Sequence, residues 1–127
     1  MSIRRTGRCH CGDVTVEIDA EDMFSFSCHC TDCMKLVSGG RLLGVGVPKD
    51  KVKITGETKI YAYPGGSGEL IYLHFCPNCS TQIAATPDSG DGTMVVRANV
   101  LDDAAGFKPG MHIHTDSAFA WDLTHQD

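Results

Sequence analysis

Residues 69–79 read ELIYLHFCPNC and join an apolar run to a closely spaced pair of cysteines. Cys76 and Cys79 are separated by a proline and an asparagine, in a turn that directly follows the run. Such a turn points two thiolates at one metal ion, and backbone N–H groups can donate hydrogen bonds to the sulfurs. The stretch therefore predicts a β-strand over residues 69–75 that ends in a zinc knuckle, which needs two more ligands from elsewhere.

A redox-active CxxC pair is the alternative interpretation of Cys76 and Cys79. Pairs of that kind lie at a helix N-terminus within a βαβ pattern. The sequence around residues 69–79 shows neither a following helical pattern nor a βαβ arrangement. The spacing therefore favours a metal ligand pair over a redox pair.

The other five cysteines form two further groups, Cys9 with Cys11 and then Cys28 with Cys30 and Cys33. Counting ligands predicts two sites, a cluster of four thiolates and a cluster of three. The four-thiolate cluster would be closed and structural. The three-thiolate cluster would keep a position open for water or substrate, as catalytic zinc does. A histidine could instead complete the second site and make it structural as well. The members of the four-thiolate cluster are Cys9, Cys11, Cys76 and Cys79, and those of the three-thiolate cluster are Cys28, Cys30 and Cys33.

A disulfide framework is the alternative for a chain with seven cysteines. The odd number of cysteines and their short spacings favour metal binding. No apolar segment of a secretory signal follows the first five residues, so we expect a reducing compartment, the cytoplasm.

The composition predicts one soluble zinc-binding domain over residues 1–127. The chain has 127 residues, a formal net charge of −5 and 42% hydrophobic residues, as in ordinary globular domains. The acidic balance argues against nucleic acid, because nonspecific binding needs Lys and Arg along the phosphates. No apolar stretch is long enough to cross a membrane. An exposed strand edge or apolar face could support a homodimer.

The hydrophobic residues follow a period of two in short runs bounded by turn residues, which predicts a mainly β fold with little helix. One helical turn is predicted over residues 31–36, with Thr31 or Asp32 as its cap. Residues 124–127 are expected to form a loose tail. The runs cover residues 14–18, 24–26, 43–47, 52–54, 60–63, 71–75, 94–98 and 111–114.

Several other side chains have an ordinary structural explanation. His10 and His29 lie between predicted ligands and are expected to point away from the metal. His112 and His114 are expected to share one face of a strand. His74 could face a pocket or solvent, and Lys35 and Arg41 could bind an anionic substrate. For these residues a solvated or structural role is the more common outcome. Trp121 is expected to be a core anchor.

The ordered motifs resemble those of a known family, the glutathione-dependent formaldehyde-activating enzymes, which include the vertebrate centromere protein V. The resemblance covers nearly the whole chain. One departure is Ser80, where the family usually has Gly. The matching elements are Gly7-Arg8-Cys9-His10-Cys11-Gly12, Cys28-His29-Cys30-Thr31-Asp32-Cys33, Phe75-Cys76-Pro77-Asn78-Cys79, Leu101-Asp102-Asp103 and Trp121.

The resemblance implies an Mss4-like fold, a twisted β-sandwich built around zinc. It also implies a structural zinc ion at the four-thiolate cluster and a second zinc ion, assigned to catalysis, at the three-thiolate cluster. The activity it implies is that of a carbon–sulfur lyase of the S-hydroxymethylglutathione synthase type, which joins formaldehyde to glutathione. Three-ligand sites hold metal less tightly than closed sites, so the second site is expected to be partly occupied by zinc.

Three functions compete at this point. The first is a zinc-dependent enzyme acting on a small thiol, such as glutathione, and its aldehyde adduct. The second is a non-catalytic zinc module for protein interaction, which a fourth protein ligand on the second zinc would support. The third and weakest is a metal sensor or store, which predicts easily exchanged metal at the three-thiolate cluster.

Overall fold

The computed structural model describes residues 4–122, which form the predicted mainly β fold. The tail predicted for residues 124–127 lies outside the described residues. One α-helix, α1 (Thr31–Val37), accompanies short 3-10 turns at Lys49–Lys51, Ala98–Val100, Ala104–Gly106 and Thr115–Ser117. The strands of the described part are β1 (Arg4–Arg8), β2 (Thr15–Asp19), β3 (Phe24–Cys28), β4 (Leu42–Pro48), β5 (Val52–Thr55), β6 (Lys59–Pro64), β7 (Leu70–Phe75), β8 (Gln82–Pro87), β9 (Thr93–Arg97) and β10 (Met111–Ile113).

These strands form two sheets. The smaller sheet has the order β1-β2-β5 and is antiparallel. The larger sheet has the order β10-β3-β4-β9-β8-β7-β6, and β10 with β3 is the parallel pair in it. β6 and β7 are antiparallel neighbours, so the glycine-rich loop between them closes the predicted hairpin. The order places β3, which carries the first cysteine of the three-thiolate cluster, between β10 and β4.

The hydrophobic core contains side chains from both sheets. Val16 and Ile18 alternate along β2, and Val45 and Val47 alternate along β4, so each pair lies on one face of its strand. All four are at most 1% exposed and belong to one cluster of buried residues. Two cysteines of the four-thiolate cluster are members of the same core cluster. The first predicted metal centre is therefore continuous with the core.

Two glycines of β4 leave space for the phenylalanine rings of β3. Gly46 pairs with Phe24 and Gly44 pairs with Phe26. A Cβ atom on Gly44 would lie 2.8 Å from the Phe26 ring, and one on Gly46 would collide with the Phe24 ring. This arrangement explains why glycines alternate with apolar residues along β4.

Two strands were missed at the sequence level, and one side chain was misplaced. The hydrophobic pattern missed β1, which is polar, and β8, whose residues 83–86 are all buried and therefore do not alternate. Trp121 is 72% exposed, so the prediction of a core anchor is wrong; its ring instead packs near Phe119, with ring centroids 5.9 Å apart.

Within residues 4–122, no helix is long and apolar enough to cross a membrane.

Candidate metal centres

The four-thiolate cluster joins two loops that are far apart in sequence. Cys9 and Cys11 lie between β1 and β2, and Cys76 and Cys79 lie between β7 and β8. Their sulfur atoms all lie within 4.8 Å of one another. The structure therefore brings together the four residues that the spacing assigned to one site.

The sulfur separations in this cluster fit a tetrahedral zinc ion. The Sγ atoms of Cys9 and Cys11 are 3.6 Å apart, and those of Cys11 and Cys76 are 3.7 Å apart. Zinc–sulfur bonds of about 2.3 Å in tetrahedral geometry place neighbouring sulfurs about 3.8 Å apart. Backbone N–H groups of Val14 and Cys79 donate to the sulfurs of Cys9 and Cys76, at 3.3 and 3.5 Å. Such hydrogen bonds stabilise thiolates, the form that binds metal.

The knuckle itself is a tight backbone turn after β7. The N–H of Cys76 donates to the carbonyl of Thr81, and the N–H of Ser80 donates to the carbonyl of Cys76, both at 2.9 Å. A hydrogen bond from the Thr81 hydroxyl, 3.2 Å from the Cys79 sulfur, lowers the pKa of Cys79 to about 5. Ser80 has a φ of 67°. This backbone lies in the left-handed region, which Gly adopts at no steric cost.

The three-thiolate cluster lies where β3 ends and α1 begins. Cys28 is the last residue of β3, Cys30 is the N-cap of α1, and Cys33 lies in its first turn. The three sulfurs lie within 4.8 Å of one another. The N–H of Cys33 donates to the sulfur of Cys30 at 3.2 Å. The helix predicted over residues 31–36 is thus confirmed, but the prediction that Thr31 or Asp32 caps it is wrong, because Cys30 is the N-cap.

Close contact between these thiols makes them titrate differently. A hydrogen bond from Cys33 lowers the pKa of Cys28 to about 5. The same hydrogen bond, together with burial, raises the pKa of Cys33. Three thiolates this close repel one another, so their full ionisation requires a cation among them. Within residues 4–122 no His, Asp or Glu joins the three sulfurs. The cluster therefore offers a cation three protein ligands.

His29, between two of these cysteines, belongs to a buried polar chain formed by Arg41, Asp122, His29, Ser27 and His112. The Ser27 hydroxyl lies 3.2 Å from Nε2 of His29 and 2.6 Å from Nδ1 of His112. Nδ1 of His29 lies 3.5 Å from the Asp122 carboxylate, which accepts a hydrogen bond from Nε of Arg41. Ser27 and His29 are fully buried. His29 is therefore engaged by this chain and is a member of neither sulfur cluster.

The other histidines of residues 4–122 lie outside both clusters. Nε2 of His74 is 3.0 Å from the hydroxyl of Thr86, and burial lowers the pKa of His74. His112 lies on β10, but His114 follows the end of that strand and has a φ of 57°. The prediction that His112 and His114 share a strand face is therefore wrong, because β10 ends at Ile113.

A model of the family described as "Glutathione-dependent formaldehyde-activating enzyme" matches residues 4–117, a segment that contains both cysteine clusters. The chain belongs to the glutathione-dependent formaldehyde-activating enzyme family. Among solved structures, the crystal structure of a Rhodobacter sphaeroides protein has a similar fold, with a TM-score of 0.60 and 20% sequence identity. The alignment covers 82% of this chain and 91% of that one.

This member of the formaldehyde-activating family also contains an arginine cleft, a depression of about 660 Å³ lined by Arg8, Arg41 and Arg97. Arg97 and Gln82, which also lines the cleft, were missed at the sequence level. Ser27 and the ion pair of Arg41 with the buried Asp122 were missed as well. Arg97 ends an apolar strand, and only its 5% exposure distinguishes it from a surface arginine. No short sequence motif indicates that these residues lie close together, because they are far apart in the sequence.

Proposed function

We propose that this protein is a zinc-dependent enzyme of the carbon–sulfur lyase type that acts on a small thiol, such as glutathione, and its formaldehyde adduct. In the forward direction the thiol sulfur bonds to the aldehyde carbon, and the carbonyl π electrons move to the oxygen. The proton lost by the thiol ends on that oxygen, which gives an S-hydroxymethyl thiol. The reverse direction breaks the same carbon–sulfur bond and releases both compounds.

The observation that carries this proposal is the three-thiolate cluster. Its Cys28, Cys30 and Cys33 supply three ligands, which is the number that catalytic zinc sites take from the protein. Zinc held there would act as a Lewis acid that favours the thiolate form of a substrate or polarises a carbonyl group. The four-thiolate cluster supplies a complete tetrahedral set, so its zinc would be structural.

The chain's own residues prepare the site for this chemistry. The capping hydrogen bond from Cys33 orients the sulfur of Cys30. The buried polar chain holds the backbone between Cys28 and Cys30 through the side chain of His29. The arginine cleft borders α1 and has a volume of about 660 Å³, within the usual range for small-molecule sites. These features support binding of a small thiol beside the cluster.

Exchange between glutathione and ¹³C-labelled formaldehyde, followed by NMR, tests the proposal. A protein-free sample gives the uncatalysed rate. We expect the zinc-loaded protein to raise the exchange rate and Cys30→Ser to abolish the increase while zinc stays at the four-thiolate cluster. Ser67→Ala, a surface change, should keep the full increase. Equal acceleration by the wild type and by Cys30→Ser would contradict the proposal.

A second candidate function is the non-catalytic zinc module for protein interaction. The observation that favours it is the exposed aromatic pair of Phe119 and Trp121, which are 45% and 72% exposed. This function predicts two bound zinc ions without any increase in exchange rate. It also predicts that Trp121→Ser weakens self-association or partner binding, which analytical ultracentrifugation measures directly for a homodimer.

A further inference from the structure

We propose that the arginine cleft is a carboxylate-binding site that holds the acid group of the thiol substrate beside the three-thiolate cluster. The inference rests on the proposed function and adds a recognition site to it. The site is built from Arg8, Arg41 and Arg97 and would take the carboxylate that thiols such as glutathione carry.

The charge of the cleft is opposite to that of the whole chain. The formal net charge is −5, yet the residues that line the cleft include three arginines and His10 and no Asp or Glu among those described. Concave surfaces lined by one sign of charge concentrate ligands of the other sign. The planar guanidinium group matches a carboxylate through two parallel hydrogen bonds. The cleft is therefore suited to a small organic anion.

Arg97 gives the cleft a fixed cation. Its side chain is 5% exposed, and its Nε donates to Oε1 of Gln82 at 3.2 Å. Nε2 of Gln82 donates in turn to the carbonyl of Leu36 at 2.6 Å, which anchors the pair to α1. Burial lowers the pKa of Arg97, since a charge out of water is unfavourable unless it is paired. A carboxylate bound in the cleft would supply a negatively charged partner for Arg97.

Arg8 and Arg41 differ in whether their guanidinium groups already form ion pairs with other residues. Arg41 forms an ion pair with Asp122, which holds its side chain in one position. Arg8 is exposed at the end of β1, and no ion pair with it occurs in the part of the chain that the structure describes. Arg8 is therefore the cation with the most capacity to bind an incoming anion.

The position of the cleft connects it with the chemistry. Leu36 and Val37 line it and follow Cys33 by about one turn of α1, which is roughly 5 Å along a helix axis. A thiol acid with its carboxylate in the cleft would therefore extend its sulfur along α1 toward the three-thiolate cluster.

The test measures binding of S-methylglutathione to the zinc-loaded protein by isothermal titration calorimetry. This probe keeps both carboxylates but has no free thiol, so it binds or fails to bind independently of the proposed reaction. We expect Arg8→Gln to weaken binding by about 3–10-fold and Arg97→Lys by more than about tenfold. The matched control Arg4→Gln removes the same charge from the other end of β1, outside the cleft, and should change binding by less than about twofold.

Two further comparisons decide the ligand class. The probe with both carboxylates esterified should lose binding, and inorganic phosphate should compete weakly. Wild-type affinity in both Arg8→Gln and Arg97→Lys, equal weakening by Arg4→Gln, or tighter binding of phosphate than of the probe would overturn the inference. If Arg97→Lys does not fold, the comparison of probe affinity between Arg8→Gln and Arg4→Gln decides. Loss of exchange activity in a protein that still binds the probe would count against the proposed function alone.

Discussion

The four-thiolate cluster and the three-thiolate cluster use the same ligand atoms, but the chain builds them in different ways. The first collects its ligands from residues 9–79, and Cys9 and Cys76 are part of the hydrophobic core. The second takes all its ligands from residues 28–33, and Cys30 and Cys33 are only half buried. One cluster closes a long loop of chain, and the other depends on the local backbone at a strand–helix junction.

This difference predicts a division between stability and chemistry. A metal bound across a long loop restricts the unfolded chain, so much of its binding free energy appears as folding free energy. A metal bound within six residues restricts little of the unfolded chain, but it is accessible to a substrate. We therefore expect the fold to depend mainly on the first cluster and activity mainly on the second.

The largest expected effect compares Cys76→Ser with Cys30→Ser. Structural zinc contributes roughly 10–16 kcal/mol to the folding of small zinc domains. Cys76→Ser should therefore lower the free energy of unfolding by several kcal/mol more than Cys30→Ser, because Cys76 is fully buried in the core. Urea denaturation of the zinc-loaded proteins measures both values.

A chelator titration of the wild type provides the control for this comparison. The three-thiolate cluster offers one ligand fewer and should release its metal first, while the fold persists until the second metal leaves. Equal losses of stability in Cys76→Ser and Cys30→Ser would contradict the expectation that the fold depends mainly on the four-thiolate cluster.

A smaller effect is expected from Ser27→Ala, which breaks the buried polar chain. Its hydroxyl contacts both His29 and His112 and is fully buried, so its loss should cost about 1–3 kcal/mol. Because His29 lies between Cys28 and Cys30, metal should also leave the three-thiolate cluster at a lower chelator concentration. The four-thiolate cluster should release its metal as in the wild type. Ser67→Ala is the surface control; a Ser27→Ala protein as stable as this control would show that the chain does not support the site.

The smallest expected effect is a gain from Ser80→Gly. Ser80 has a φ of 67° in the knuckle of the four-thiolate cluster, and Gly adopts this backbone without the penalty of a side chain. The left-handed penalty of about 1–2 kcal/mol, less about 0.5–1 kcal/mol for the greater conformational freedom of Gly in the unfolded chain, leaves an expected rise of about 0.5–1 kcal/mol in the free energy of unfolding. Ser38→Gly, at a φ of 54° after α1, tests the same effect beside the other cluster. Ser117→Gly, in a 3-10 turn without positive φ, should give no gain, and a gain there equal to that of Ser80→Gly would refute the backbone explanation.

Much of the fold and both sulfur clusters could be predicted because their signals are local. Alternation of apolar residues marked β2, since one face of it is buried, and alternation of apolar residues with glycines marked β4. Cysteines two or three residues apart can share one metal ion, and counting the ligands then divided the seven cysteines into a set of four and a set of three. The extent of the domain and the location in the cell remain predictions.

The features that were missed depend on contacts between distant residues. The ion pair of Arg41 with Asp122 joins residues 81 positions apart. The arginine cleft likewise combines Arg8 from β1 with Arg97 from β9. β8 was missed for a different reason, because burial on both faces removes the alternation that identifies a strand.

The sequence separation of the two clusters also determines when each can form during synthesis. The three thiols of residues 28–33 emerge from the ribosome well before Cys79, which completes the four-thiolate set. At roughly 5–20 residues per second, the nascent chain carries a complete three-thiolate group for several seconds before the other cluster is complete. The first metal ion that the growing chain can capture with a full ligand set is therefore the one assigned to chemistry.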